Sequence, residues 1–508
     1  MVKSKAADII RKLTNVERQE LMLFLCSPYF NRKKKIEQLC ELIIANISML
    51  DDPEITEEVV FKPLFGGEKF SYSFLRNLMS ELLKLCEIFL VVNNLKAGSF
   101  SDSRFNRALL NEYNVRFLDK HFELKLKKIR EEYSTRKIDS EYFDVLGKLE
   151  SENIAFHLYR SSMQEVPAHL LKRAEYNFIH ILQLLEFDMM DLAVNKVSFN
   201  LKYDSELVPS LMKTIDTTKM LGALSNANSE FKDEIEIRLR LIKLCDEKED
   251  DENYHKLKDL ILKRIENYSN AERSNMLIKL KNYCAFKIYK GDTDFYEEKY
   301  LLLKKELETI KYNHDNVGPL FANIYLEIIQ KAIQNTDLEY ACDVIDKFTK
   351  ELETSKQAAV SNMARAWIEF EKKNYERTLH HLSQVSAFNL FLKINTKMLY
   401  MKTYYEMNAL ETGLSSVDSF RHFIMETKEL GNSRRENLQR NYEIIKRIYK
   451  MKLNPGKQTI FDLKELRSDV EKSEIFYSEW YYNKINEMEY GFNELGSDKE
   501  TDAKHRAK

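Results

Sequence analysis

One pattern constrains this chain more than any other: a set of apolar side chains that recurs three times between residues 320 and 430. Aligned on Ala341, Thr378 and Gly413, the copies lie 37 and 35 residues apart. Eight places before each anchor stand Ile333, Phe370 and Tyr405, and three places before it Leu338, Tyr375 and Leu410. After it come Cys342, Leu379 and Leu414 at +1, Ile345, Leu382 and Val417 at +4, and Phe348, Val385 and Phe420 at +7. Offsets +1, +4 and +7 make one stripe of a helix. The −8 place falls on a preceding helix, across a short turn. The anchors are small or modest in size, so two helices can approach closely there. One such hairpin cannot bury its apolar face alone, and hairpins must therefore stack. On this reading the rings of Phe348 and Phe420 lie buried between helices.

The period near 36 and the turn, with an aromatic residue or Leu, then Glu, then a small residue, resemble the tetratricopeptide repeat. Departures mark the copies as degenerate. The small residue expected in the first helix is Ala366 in one copy but Ile329 and Met401 in the others, and no proline closes the units. The repeat is read directly over 320–430 and inferred over 107–320. Around Phe295-Tyr296-Glu297-Glu298 the turn recurs but the +7 place fails. An irregular helical array is the alternative.

The rest of the chain agrees with a helical reading. Ile36, Leu39, Cys40, Ile43, Ile44 and Ile47 form one stripe, and Leu75, Leu78, Met79, Leu82, Leu85, Cys86 and Phe89 another. Thr14 and Glu17 fit a capping box, and Pro28 ends the helix that follows it. Only 12 Gly and 7 Pro occur in 508 residues, too few for a turn-rich β architecture. The fold class expected is all-α: a right-handed α-solenoid of stacked helical hairpins, resembling tetratricopeptide arrays, with a small N-terminal helical domain. The expected divisions are an N-terminal domain over 1–97, a linker or long turn over 98–106, the solenoid over 107–490 and a flexible tail over 491–508. The acidic run Asp246 to Glu252 reads as a solvated loop.

Charge and cysteine usage bound the setting. Lys plus Arg number 79 and Asp plus Glu 81, which gives no global attraction to nucleic acid or an anionic membrane. Cys26, Cys40, Cys86, Cys245, Cys284 and Cys342 are scattered and read as small core hydrophobes. No apolar run approaches the roughly 20 residues of a membrane span, and Met1 to Asp8 holds no apolar segment of a signal peptide. A soluble, cytoplasmic protein is expected.

Chemistry is sparse. No phosphate-binding loop, nucleophile elbow or His-Glu-x-x-His occurs. His380-His381 is the only adjacent pair, with one ring expected in solvent and the other near the packed face. Glu252-Asn253-Tyr254-His255 has the spacing of a di-iron ligand pair but occurs once. No catalytic, metal or cofactor site is expected, and the chain reads as a non-enzyme. The 27 tyrosines suit either a peptide-binding groove or the packing between helices.

One local feature invites a partner. Tyr29 precedes the run Arg32, Lys33, Lys34 and Lys35, and residues 1–50 carry nine Lys/Arg against five Asp/Glu. Two helices around Gly66-Gly67 could form a helix-turn-helix, with Tyr72, Arg76 and Asn77 early on the second. The candidate interaction residues are therefore Tyr29, Arg32, Lys33, Lys34, Lys35 and Arg76. A continuous basic face over 28–77 favours nucleic acid, and mixed charge opposes it. The leading reading is a helical-repeat scaffold or adaptor that binds another protein or a peptide. The alternative is a regulator contacting nucleic acid through residues 1–97. An enzyme whose site is assembled from distant helices is the third.

Several stretches carry a wider likeness: Leu13-Thr14-Asn15-Val16-Glu17-Arg18, Ser27-Pro28-Tyr29-Phe30-Asn31-Arg32-Lys33-Lys34, Val60 to Glu68, Leu75 to Leu82 and Trp480-Tyr481-Tyr482-Asn483-Lys484-Ile485. Together these resemble a family of uncharacterised, all-helical bacterial proteins of about 500 residues. The resemblance implies a helical fold and a cytoplasmic location, and transfers no functional residue.

Overall fold

The computed structural model describes residues 4–49, 56–97, 103–199, 207–212, 214–246, 250–314, 317–428, 430–454, 459–471 and 479–490. The described residues are helical throughout, and their only strand-like pairing is an isolated bridge between Leu320 and Leu352. The chain divides into two compact units, Met1–Asp188 with Ser229–Arg238 and Met189–Asn228 with Leu239–Lys508.

The first unit opens with a small helical core. Helices Lys5–Lys12, Asn15–Leu25, Lys34–Ala45 and Tyr72–Ala97 close around Ile10, Leu21, Leu25, Leu39, Cys40, Phe61 and Leu82. The capping box forms: the Thr14 hydroxyl accepts from the Glu17 amide at 3.2 Å, and the Glu17 carboxylate accepts from the Thr14 amide at 2.8 Å. The expected linker 98–106 overlaps a helix, Ser103–Val115, and its residues 98–102 lie outside the described residues. Two helical hairpins follow, Ser103–Val115 with Asp119–Thr135 and Tyr142–Tyr159 with Val166–Phe199. The buried guanidinium of Arg238 binds two buried carboxylates, Glu186 at 2.8 Å and Glu234 at 2.7 Å.

The second unit contains four more hairpins: Asn270–Tyr289 with Phe295–Thr309, Ala322–Gln334 with Leu338–Phe348, Gln357–Glu371 with Tyr375–Ser383, and Leu390–Glu406 with Leu410–Glu426. From Ala322 to Leu453 each helix packs on the next one or two along the chain. This is the stacked-hairpin order expected of a helical repeat. The anchors Ala341, Thr378 and Gly413 are buried, as are Ile345, Leu382 and Val417 at +4. Phe420 is fully buried, but Phe348 is only half-buried, because its helix ends at that residue. The sequence reading of two equivalent buried rings is corrected there. Ile329, Ala366 and Met401 are all buried, so the large residues occupy the small-residue place without being expelled.

A single backbone device turns these six hairpins; the turns of two further packed helix pairs, Lys232–Asp246 with Asp251–Arg264 and Asn432–Leu453 with Ile460–Glu471, include residues outside those described. Each first helix ends on a residue in the left-handed region: Phe117, Ser161, Gly291, Thr336, Lys373 and Asn408, with φ of 55°, 57°, 94°, 59°, 61° and 58°. The amide of that residue bonds back to the carbonyl three before it at 2.9–3.2 Å. The next amide bonds to the carbonyl five before it at 2.8–3.1 Å. This is a Schellman cap, which satisfies carbonyls left over at a helix end. It extends the hairpin unit into the region where repeats were only inferred. The second helix starts two residues after the cap in four of the hairpins, four after it at Gly291 and five after it at Ser161, which shifts the register. A buried charge, Glu306 bonded to Lys281, also stands on that second helix.

The acidic run is a correction. Asp250 caps helix Asp251–Arg264, its side chain accepting from the Asn253 amide at 2.8 Å, and Asp251 and Glu252 form the first turn. Carboxylates are favoured at a helix start by the free amides and the dipole, so loop and helix start look alike in sequence. Residues 247–249, and the expected tail 491–508, lie outside the described residues. Cys40, Cys86 and Cys284 are buried as expected, whereas Cys26 is exposed because it sits past the last turn of its helix.

Candidate functional site

The basic run is held by a turn that Asn31 builds. The buried Asn31 amide nitrogen donates to the carbonyls of Leu25 at 3.0 Å and Lys33 at 3.2 Å, and its oxygen accepts from the Lys33 amide at 2.9 Å. The turn folds Phe30 back onto Phe24, with ring centroids 4.2 Å apart, and leaves Tyr29 87% exposed. Arg32, Lys33, Lys34 and Lys35 are exposed at the start of helix Lys34–Ala45. Two of them reach helix Tyr72–Ala97. The Lys35 ammonium lies 4.9 Å above the Phe74 ring, and the Lys33 ammonium pairs with Glu81 at 2.7 Å. Arg76 is exposed on that helix, between these two contact points in sequence. The six expected residues thus fall in two places that the Lys35 and Lys33 contacts join.

The result is a surface that carries exposed rings, Tyr29, Tyr72 and Phe74, and exposed cations, with Lys35 set over Phe74. The left-handed Gly66 and Gly67 (φ 55° and 96°) make the turn before it. Its charge is mixed: residues 28–77 carry seven Lys/Arg and eight Asp/Glu, and Glu81 neutralises Lys33. Leu75, Leu78, Leu82, Cys86 and Phe89 of the second helix are buried in the unit's own core, leaving Tyr72, Arg76 and Asn77 on the outer side.

Sequence reasoning missed a second cluster, in a cleft of about 600 Å³ beside helices Asp119–Thr135 and Tyr142–Tyr159. Phe122 and Phe156 stack 4.4 Å apart in its lining. The buried Glu150 carboxylate accepts from Arg130 at 2.8 Å and meets His169 Nδ1 at 2.7 Å. His157 stacks on His169 at 5.4 Å, and burial, then the neighbouring His169, push its imidazole pKa down. A carboxylate–imidazole pair facing a cleft can orient a polar group or hold a proton. The two histidines lie twelve residues apart on different helices, a spacing with no motif value.

A third cluster surrounds Lys402. This buried ammonium lies 5.2 Å from the Trp480 ring and 5.6 Å from the Tyr481 ring. Burial pushes its pKa down to about 7, while Glu371 and Glu406 act in the opposite direction. Glu406 also accepts from Trp480 Nε1 at 2.7 Å and pairs with Lys484 at 2.8 Å. Nothing in Met401-Lys402-Thr403 distinguishes this lysine from a solvated one.

His380 is exposed and His381 half-buried, its Nδ1 2.9 Å from the Asn362 oxygen. Glu252 is tied to Lys256 at 2.5 Å and stands apart from any ligand set. Among the described residues no three His, Cys, Asp or Glu side chains are grouped to hold a metal ion, and no helix is long and apolar enough to cross a membrane. No family model, curated protein or solved structure matches the chain.

Proposed function

We propose that this chain is a non-enzymatic, cytoplasmic adaptor whose helical hairpins hold another protein or a peptide. One observation carries the reading: six hairpins are turned by the same backbone cap, and four of them follow one another in the second unit. A repeated hairpin fixes helix faces at regular intervals, which is the use helical arrays make of their fold. The partner is a folded protein or peptide that engages rings and cations together, since Tyr and Arg dominate the binding energy of protein interfaces.

The second reading, nucleic-acid contact through residues 1–97, is favoured by one feature. Exposed rings between exposed cations are the ingredients of a single-strand platform. The pairing of Lys33 with Glu81 and the mixed charge weigh against it.

The test is a tagged pull-down from native cytoplasm, with and without nuclease, followed by titration of the purified chain with the recovered protein. The adaptor reading expects a discrete protein that survives nuclease and binds directly. Recovery that vanishes with nuclease, joined by tight binding of a labelled single-stranded oligonucleotide lost in Arg76→Ala, overturns it in favour of the second.

A further inference from the structure

The helix Val166–Phe199 is 34 residues long, while its hairpin partner Tyr142–Tyr159 has 18. At 1.5 Å per residue that is about 51 Å against 27 Å, so the partner cannot cover it along its length. One side of the long helix is buried through Ile179, Leu182, Gln183 and Glu186. The other side is largely apolar and open, and the exposed Asn177 lies on it too. Leu170, Leu171, Phe178, Ile181, Leu184 and Phe187 are 38–75% exposed. Ala174 is exposed between them and Leu185 is half-buried. Side chains of these sizes leave on the order of 600 Å² bare, at the upper end for a patch on a monomer.

The order of residues on this face says what fits it. Leu171, Ala174, Phe178, Ile181, Leu185 and Asp188 follow one another at spacings of three and four, the seam of a two-helix pair. A half-turn centred between Phe178 and Ile181 maps the seam positions onto one another, with Leu171 falling opposite Asp188 at each end. Phe178 then opposes Ile181, and Ala174 opposes Leu185, small against large. The ends are charged with opposite sign: Arg173, partly exposed, flanks the N-terminal end, and the exposed Asp188 closes the C-terminal end. In the antiparallel arrangement Arg173 of each copy comes within about one helical turn of Asp188 of the other, and in a parallel one like charges would meet.

We propose that this face is the two-fold interface of a homodimer, in which the helices Val166–Phe199 of two copies pair antiparallel. The symmetry closes the contact, because each copy presents the same patch to the other. The apolar area is near the ~800 Å² per partner of a standard interface, with the charged ends adding the rim. The dimer is independent of the adaptor reading and survives its failure.

The test is sedimentation velocity of the full chain across a concentration series up to ~100 μM, with circular dichroism to confirm unchanged folding of each variant. The wild type should sediment at about twice 60.3 kDa at the upper concentrations. Ile181→Glu, on an exposed site, should raise the dissociation constant by at least about tenfold. Arg173→Glu and Asp188→Arg should each weaken the dimer, and the double reversal should restore it, which only antiparallel pairing of these two sites explains. A wild type that stays monomeric throughout overturns the proposal. So does a dimer indifferent to both Ile181→Glu and Phe178→Glu, since its interface lies elsewhere. Single reversals that the double reversal fails to rescue overturn the antiparallel register.

Discussion

Replacing Gly413 by Ala sets two effects of known size against each other. Gly413 is the anchor of the last repeat, inside helix Leu410–Glu426. On helix propensity alone Ala should stabilise by about 1 kcal/mol. The packing opposes this. A Cβ at Gly413 would lie 2.1 Å from the Tyr449 oxygen, 2.3 Å from its Cε1 and 2.4 Å from its Cζ. Tyr449 is fully buried, and its hydroxyl donates to the Met401 carbonyl at 2.5 Å. Moving the ring strains a packed core and strips a buried carbonyl, at roughly 1–3 kcal/mol each. The net expectation is a loss of about 1–3 kcal/mol. Tyr449→Ala should itself cost about 3–5 kcal/mol, but on that background Gly413→Ala should become stabilising, because only the propensity remains. Urea unfolding followed by tryptophan emission in a Trp367→Phe background reads this locally, since Trp480, the other of the two tryptophans, packs edge-on against Tyr405, which packs edge-on against Tyr449. If Gly413→Ala stabilises the wild type, or if its effect is the same in both backgrounds, close approach at the anchor is not what selects small residues.

Four further outcomes follow from the same structure. Phe420→Ala should cost about 3–5 kcal/mol in urea unfolding and Phe348→Ala clearly less, because only the first ring is fully buried. Arg238→Leu should cost at least about 3 kcal/mol, read as a lowered thermal midpoint, since it leaves the buried Glu186 and Glu234 without their shared cation. Thr336→Gly should stabilise by up to about 1 kcal/mol in the same assay, because a β-branched residue is strained at φ 59°. Lys402 makes stability depend on pH in a stated direction. Between about 7, its depressed folded value, and the ordinary lysine range, the unfolded chain binds a proton that the folded chain has released, so stability rises with pH. The thermal midpoint of the wild type should climb from pH 7 to 9 relative to Lys402→Met, and parallel curves would refute the burial argument.

The sequence made the helical class plain because three-and-four spacing of apolar residues recurs from Ile36 to Phe420 and glycine is scarce. It made the last three hairpins plain because their anchors are small. The earlier hairpins were harder to read for a physical reason. What they share is a backbone dihedral, and Phe117 and Ser161 adopt it without the glycine that usually advertises it. Asp250 to Glu252 were misread because helix caps and loops use the same residue types. At the candidate face, the cations were legible as a run, but what positions them was not. Glu81 and Phe74 lie 48 and 39 residues beyond the lysines they meet. The Glu150–His169 pair and the buried Lys402 left no trace, since burial of a polar group is decided by packing between helices rather than by its neighbours in sequence.

The hairpins from Ala322 onward touch chiefly their immediate neighbours along the chain, and that arrangement has a mechanical meaning. Under tension applied along the array, few long-range contacts share the load between Ala322 and Ser383, whereas the hairpin Leu390–Glu426 is also held through Glu406 by Trp480 and Lys484. Every unit of about 36 residues would then pay out roughly 120 Å of slack as it opens. An optical trap holding this segment should record a staircase of similar steps rather than one rupture. The Schellman turns should make each step reversible, because a relaxed strand needs only to re-form a local cap before its two helices meet again. Such an array is expected to lengthen hairpin by hairpin under load and to shorten again when the load is removed.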